Sequence, residues 1–169
     1  ILTDDQEVRD RLTILRYAGT VNRHDCIYPA LNGRMDTIQA AMLLVSLDTL
    51  EAKIQRRREI ASNYSSALKD VVICPTEASG SRDIYYAYTI ITERREDLIT
   101  HMAESGIETQ IQHPILMPNH TAYHHLPKPH LPVAEHMVNR ILSIPNHENL
   151  SDPEIKYVAD SIKEFHRRS

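Results

Sequence analysis

The chain has 169 residues, the length of one ordinary domain, and its 41% apolar and 25% charged side chains describe a folded globular protein. With 19 basic and 23 acidic residues well mixed, the formal net charge of −4 leaves no electrostatic footprint for nucleic acid or an anionic membrane. No apolar run approaches bilayer length, and Cys26 and Cys74 lack metal-like or redox-like spacing, so a reducing, cytoplasmic setting is expected.

The opening "ILTDDQEVRDRL" reads as a strand end followed by a helix cap, as in a chain that starts inside a βα unit, and a fragment of a longer protein is expected. Thr3, Asp4 or Asp5 caps a helix running to Gly19, with Val8, Leu12 and Leu15 on one face. Residues 20–33 are turn-rich. Asp36 with Gln39 predicts a capping box and a long helix to about residue 69, through Met35, Ile38, Met42, Val45, Leu50, Ile54, Ala61, Tyr64 and Leu68. Arg56, Arg57 and Arg58 read as its solvated face.

Beyond "KDVVICPTEASGSRD", a short strand and a polar loop, "IYYAYTIIT" (84–92) is dense in aromatic and β-branched residues and predicts a strand. "REDLITHMAES" is a helix ended by Gly106, "IETQIQH" (107–113) a second strand, and the proline-rich stretch 114–132 a pinned loop. The segment "VAEHMVNRILSI" reads as one helix, and "SDPEIKYVADSIKEF" as the last, capped by Ser151 or Asp152 with Pro153 in its first turn. The expected architecture is α+β: a stub of an earlier domain (1–34), a long connecting helix (35–70) and a small C-terminal domain (71–169) whose sheet joins strands 84–92 and 107–113.

Chemistry concentrates in "LNGRMD". Asn32 and Gly33 precede a helix whose unpaired N–H groups and positive dipole end favour anions, and Arg34 adds a fork of donors suited to phosphate or carboxylate. The plainer reading makes Asn32 a turn cap and pairs Arg34 with Asp36 or another carboxylate. The loop "NHTAYHHLPKPH" raises a metal-binding alternative through His120, His124, His125 and His130, against which its prolines disfavour the helix that an i, i+4 pair would need. A stand-alone dimerisation or interaction module built on helix 36–69 is a further alternative. No serine or cysteine sits in a nucleophile-elbow context.

The run "NGRMDTIQAAML" resembles the N-x-R-[ML]-D-x-[LI]-Q-A-A-x-L signature of the DegT/StrS family of nucleotide-sugar aminotransferases, pyridoxal-phosphate enzymes of the aspartate-aminotransferase fold (fold type I). The likeness continues through "RRREIASNYSSAL", "YYAYTI", "ESGIETQIQHPI" and "LPVAEHMVNRILSIPNHENLSDPEI", in the family's order and over practically the whole chain. It implies a homodimer with shared active sites, acting on a keto-sugar nucleotide with glutamate as amino donor, in cell-surface polysaccharide or secondary-metabolite biosynthesis. Asn32 matches the asparagine that reaches the cofactor phosphate in the partner's site, Arg34 the arginine that contacts the sugar substrate, and His113 a position lining the sugar-binding end. The family's cofactor-bearing lysine is expected upstream of Ile1, so no catalytic residue is assigned here. Lys53, Lys69, Lys128, Lys156 and Lys163 fall where the family uses none, and no metal site is implied. Ala30-Leu31-Asn32 and Ile111-Gln112-His113-Pro114 depart from the family's aromatic wording near the substrate, while "NGRMDT" leans towards a branch acting on UDP-linked 3-keto N-acetylated hexuronic acids.

Overall fold

In the computed structural model, which describes residues 1–168, the chain divides into two units, Ile1–Thr49 and Leu50–Ser169. Helix α1 (Gln6–Arg16) starts where the Asp5 carboxylate accepts from the N–H groups of Glu7 and Val8 at 2.8 and 3.1 Å. Glu7 in its first turn and Arg16 in its last suit the helix dipole. The chain then leaves the helix through Ala18 and Gly19, both at positive φ, into a hairpin of β1 (Thr20–Val21) and β2 (Asp25–Cys26). Its turn has Asn22 and Arg23 at φ 52° and 62°, closed by His24 N–H on the Val21 carbonyl at 3.1 Å, the left-handed geometry that matches strand twist.

Helix α2 (Thr37–Asp48) begins at Asp36, whose N–H is taken by Gln39 Oε1 at 3.1 Å, as the sequence indicated. The single helix expected over 36–69 is instead two: α2 ends at Asp48, Thr49 has φ −108° and ψ −1°, and α3 covers Leu50–Leu68. The unit boundary falls at this same point, inside the segment expected to connect the domains. Ile38, Met42, Leu43, Leu44, Val45 and Leu47 of α2 each keep half or more of their surface exposed. Among the described residues, no hydrophobic side chain of Ile1–Thr49 is buried. With 12 residues α2 is short of the ~20 a membrane crossing needs, and among the described residues no helix is long and apolar enough to make one.

The core lies in the second unit. Helix α3 buries Ile60, Ala61, Tyr64 and Leu68; α4 (Arg95–Glu104) buries Leu98 and Met102; α6 (Asp152–Arg167) buries Ile155, Val158, Ala159, Ile162 and Phe165, each at helical spacing. They cover an antiparallel pair, β3 (Tyr88–Ile91) and β4 (Ile141–Ile144), with Tyr88 opposite Ile144 and Ile91 opposite Ile141. Ile73 flanks β3 through paired bonds with Ile91, and Gln110 flanks β4 through paired bonds with Ser143 at 3.0 and 2.8 Å. Segments 84–92 and 107–113 thus reach one sheet, but β4 lies between them and 107–113 contributes a single bridge at Gln110.

That order corrects the reading of "VAEHMVNRILSI". Only Pro132–Met137 is helical (α5), and "ILSI" is the inner strand. Its apolar spacing fits either period, and what decides is the pair of unfilled ladder edges it meets on both sides.

The arginine triplet also differs from its reading as a solvated face, since Arg56, Arg57 and Arg58 are half-buried and each holds a separate loop. Successive helix positions point about 100° apart. Arg56 donates to the Leu150 carbonyl and Asp152 at 2.7 and 2.8 Å, at the start of α6. Arg57 donates to Glu148 at 2.9 and 3.1 Å and to the Tyr86 carbonyl. Arg58 donates to both oxygens of Glu77 at 2.7 and 3.0 Å and to the Asp83 carbonyl.

The hydrogen bonds from Arg58, followed by that from the Asp83 N–H, hold the Glu77 carboxyl down to about 2. A depressed folded-state value means that Glu77 stabilises the fold fully above its unfolded value, about 4.3, and loses that effect as pH falls towards 2. The melting temperature of Glu77→Gln should therefore lie below that of the unsubstituted protein at neutral pH, with the gap closing between about pH 4.3 and 2. A gap independent of pH over this range, read by thermal scans, contradicts the assignment.

Candidate functional site

Backbone contacts hold the "ALNGR" segment against the end of α1. Asn32 forms an antiparallel bridge with Tyr17, and the Gly33 N–H donates to the Arg16 carbonyl at 3.0 Å. One turn earlier, the Gly19 carbonyl accepts from Ile27 and Tyr28 at 2.9 and 3.3 Å. A Cβ on Gly19 would lie 1.6 Å from the Tyr28 carbonyl oxygen, and its φ of +70° already disfavours any other residue. Gly19 is thus the residue that lets the chain fold back and carry Asn32 to Tyr17.

Asn32 and Arg34 are brought together. Asn32 Oδ1 accepts from Arg34 Nε at 3.1 Å and from Arg34 N at 3.3 Å, and the Arg34 guanidinium lies over the Tyr17 ring, 4.3 Å from its centroid. Both residues are exposed. The asparagine oxygen is thus occupied by Arg34, and among the described residues its Nδ2 makes no hydrogen bond. Arg34 spends Nε on Asn32, and among the described residues its Nη1 and Nη2 have no partner. Arg34 does not pair with Asp36.

Asp36 stands at the N-cap of α2, so a carboxylate already lies at the dipole end of that helix, beside the donors of Asn32 and Arg34. Their donors are the kind that a phosphate or carboxylate accepts.

His113 lies in the second unit, exposed, at the edge of a cavity of about 340 Å³ whose wall includes Ile115, Leu116, His120, Met137 and Val138. Its apolar wall and two imidazoles suit a ligand with a hydrophobic face and a few polar groups. Of the remaining loop histidines, His124 and His125 meet edge to face at 6.1 Å and His130 sits 3.4 Å from Glu135. Among the described residues no group of three or more His, Cys, Asp or Glu is placed to hold a metal ion. Lys53 faces Glu148 at 3.9 Å, and Lys156 and Lys163 both face Asp160.

Tyr17 is the site residue that sequence reasoning missed. Nothing in the local pattern sets it apart, because only the bridge to Asn32, 15 positions on, places its ring under Arg34.

The sequence profile of the DegT/DnrJ/EryC1/StrS aminotransferase family matches residues 1–163. The chain is 32% identical over 178 residues to GDP-perosamine synthase of Escherichia coli O157:H7, covering 98% of this chain and 46% of that protein. It is 29% identical over 166 residues to dTDP-3-amino-3,6-dideoxy-alpha-D-galactopyranose transaminase of Aneurinibacillus thermoaerophilus, covering 98% and 46%. Its structure is similar to a DegT DnrJ EryC1 StrS aminotransferase from Brucella abortus, with TM-score 0.89 at 35% identity, covering 98% and 45%. The chain spans about half the length of the curated relatives it matches.

Gly19→Ala should release the 27–34 segment. Its cost is the sum of a left-handed alanine, about 1–2 kcal/mol, and the loss of the fold-back that the new Cβ blocks. Hydrogen exchange at the amides of Ile27, Tyr28 and Gly33 reads it: faster exchange at these three, with the α3–α6 core amides unchanged, is expected. Unchanged protection at all three would show that another residue sets the fold-back.

Proposed function

This chain belongs to the DegT/DnrJ/EryC1/StrS aminotransferase family, and on that premise we propose that the full-length protein transfers an amino group, from glutamate, to a keto-sugar nucleotide. Its α+β fold is that of the C-terminal half of a family member of the aspartate-aminotransferase type, and the family depends on pyridoxal phosphate. When bound, that cofactor supplies the carbonyl carbon and electron sink through which an amino group passes from one substrate to the other. The observation supporting the reading is the Asn32–Arg34 pair, whose Asn32 Nδ2 and Arg34 Nη1 and Nη2 have no hydrogen-bond partner among the described residues.

In this reading Asn32 donates through Nδ2 to the cofactor phosphate, Arg34 orients the sugar nucleotide, and His113 lines the sugar end. Asn32 and Arg34 serve the partner subunit's site. The exposed apolar surface of α2 supports a homodimer, since a 12-residue helix apolar on most sides needs a covering surface. A cytoplasmic role in polysaccharide or secondary-metabolite biosynthesis accords with this substrate class, and the substrate is a UDP-, dTDP- or GDP-linked keto sugar to be identified by assay.

The full-length enzyme, given pyridoxal phosphate, glutamate and a panel of UDP-, dTDP- and GDP-linked keto sugars, should form an amino sugar and release 2-oxoglutarate. Absence of both across the panel overturns the activity. Asn32→Ala should weaken cofactor retention about 10- to 100-fold, as expected for a hydrogen bond to a charged group, whereas Arg34→Ala should mainly raise the sugar-nucleotide KM. Mixing Arg34→Ala subunits with subunits lacking the catalytic lysine should restore activity at low substrate, because one site of each heterodimer is then intact. No recovery in verified heterodimers would place Arg34 in its own subunit's site.

A further inference from the structure

Resting on that reading of Arg34, we propose that Tyr17 is its positioning residue, the ring that turns an exposed, flexible arginine into a preformed fork for an anionic substrate group. The Arg34 guanidinium is gripped twice. Its Nε donates to Asn32 Oδ1 at 3.1 Å, and its plane lies over the Tyr17 ring at 4.3 Å. Tyr17 and Asn32 are themselves paired across the backbone bridge, so ring and amide are fixed relative to each other before any ligand arrives. Two grips on one planar group leave a single orientation, with Nη1 and Nη2 forming the free edge. Both nitrogens then face a carboxylate or phosphate in the parallel arrangement that planar oxyanions accept.

Without the ring, the hydrogen bond to Nε remains but the guanidinium swings about it, and the substrate must order it on binding. Tyr17 itself touches no substrate: its ring face is covered by Arg34, and among the described residues its hydroxyl makes no hydrogen bond. The effect therefore belongs to the aromatic face and not to the phenol oxygen. A stacked cation at an exposed site corresponds to about a two- to fivefold change in binding.

Full-length Tyr17→Leu, assayed with the panel sugar nucleotide that the unsubstituted enzyme turns over, should raise KM about two- to fivefold with kcat and cofactor content unchanged. Tyr17→Phe should keep the original KM. Adding Tyr17→Leu to Arg34→Ala should raise KM no further than Arg34→Ala alone, because the ring acts only through the arginine. If Arg34→Ala raises KM and Tyr17→Leu does not, the positioning role is overturned while the functional reading stands. If Arg34→Ala leaves KM unchanged, the functional reading of Arg34 fails, and the role of Tyr17 with it. A Tyr17→Phe variant as impaired as Tyr17→Leu, or a loss confined to kcat or cofactor content, also overturns the proposal. Should a thermal scan show Tyr17→Leu misfolded, Tyr17→Met, similar in bulk but without a π face, is read by the same criteria.

Discussion

Strand β4 is the constraint on which the second unit depends, and Ser143 is its hinge pin. The Ser143 N–H and carbonyl both pair with Gln110, its neighbours Leu142 and Ile144 pair with β3, and its hydroxyl meets the Thr89 hydroxyl at 2.9 Å. A buried polar residue is tolerated here because each of its groups is satisfied. Segments far apart in sequence, at 88–91 and 110, are joined through this strand, and Ile73 adds to the far edge of β3. Just beyond it, the Pro145 carbonyl accepts from the Tyr64 hydroxyl of α3 at 3.0 Å, and Asn146 Nδ2 donates to the Tyr85 carbonyl at 2.7 Å. Helix and sheet are tied where the strand ends, so a shift of β4 would disturb both layers together.

What was legible in the sequence follows the range of the forces involved. Helix starts are local: Asp5, Asp36 and Ser151 each sit beside the N–H groups or side chains they satisfy, and α1, α2, α4 and α6 begin where their residues indicated. Strand β4 was not legible, because the four residues "ILSI" after a short helix take their conformation from partners 33 to 56 positions away. The clasps of Arg56 and Arg57 were illegible for the same reason, since Glu148, Leu150 and Asp152 lie more than 90 residues downstream. Asn32 and Arg34 were marked by resemblance, yet their mutual hydrogen bond is a local i, i+2 contact to an amide oxygen, where a carboxylate is the usual partner of an arginine.

The two units are built on different principles. Among the described residues, the second has a core of 18 buried apolar residues. The first is shaped by hydrogen bonds and backbone conformation: an Asp cap, a left-handed exit from α1, a close-approach glycine and one bridge. Such a segment has geometry without much free energy of its own, since backbone hydrogen bonds contribute little net stability when little apolar surface is buried with them. The Asn32–Arg34 pair is therefore carried by the unit that buries the least apolar surface of its own.

The arginine triplet has an evolutionary side. The register of α3 is fixed from Ile60 onward by buried side chains, so a residue gained or lost just before Ile60 slides the preceding helix by one position. In most sequences such a slip replaces every clasping side chain. Here each arginine moves into the place of its neighbour, so two of the three loop clasps stay filled and only the one at the end of the run is vacated. Three identical codon meanings in a row thus give this helix a tolerance to length change that three different residues in the same places would not have.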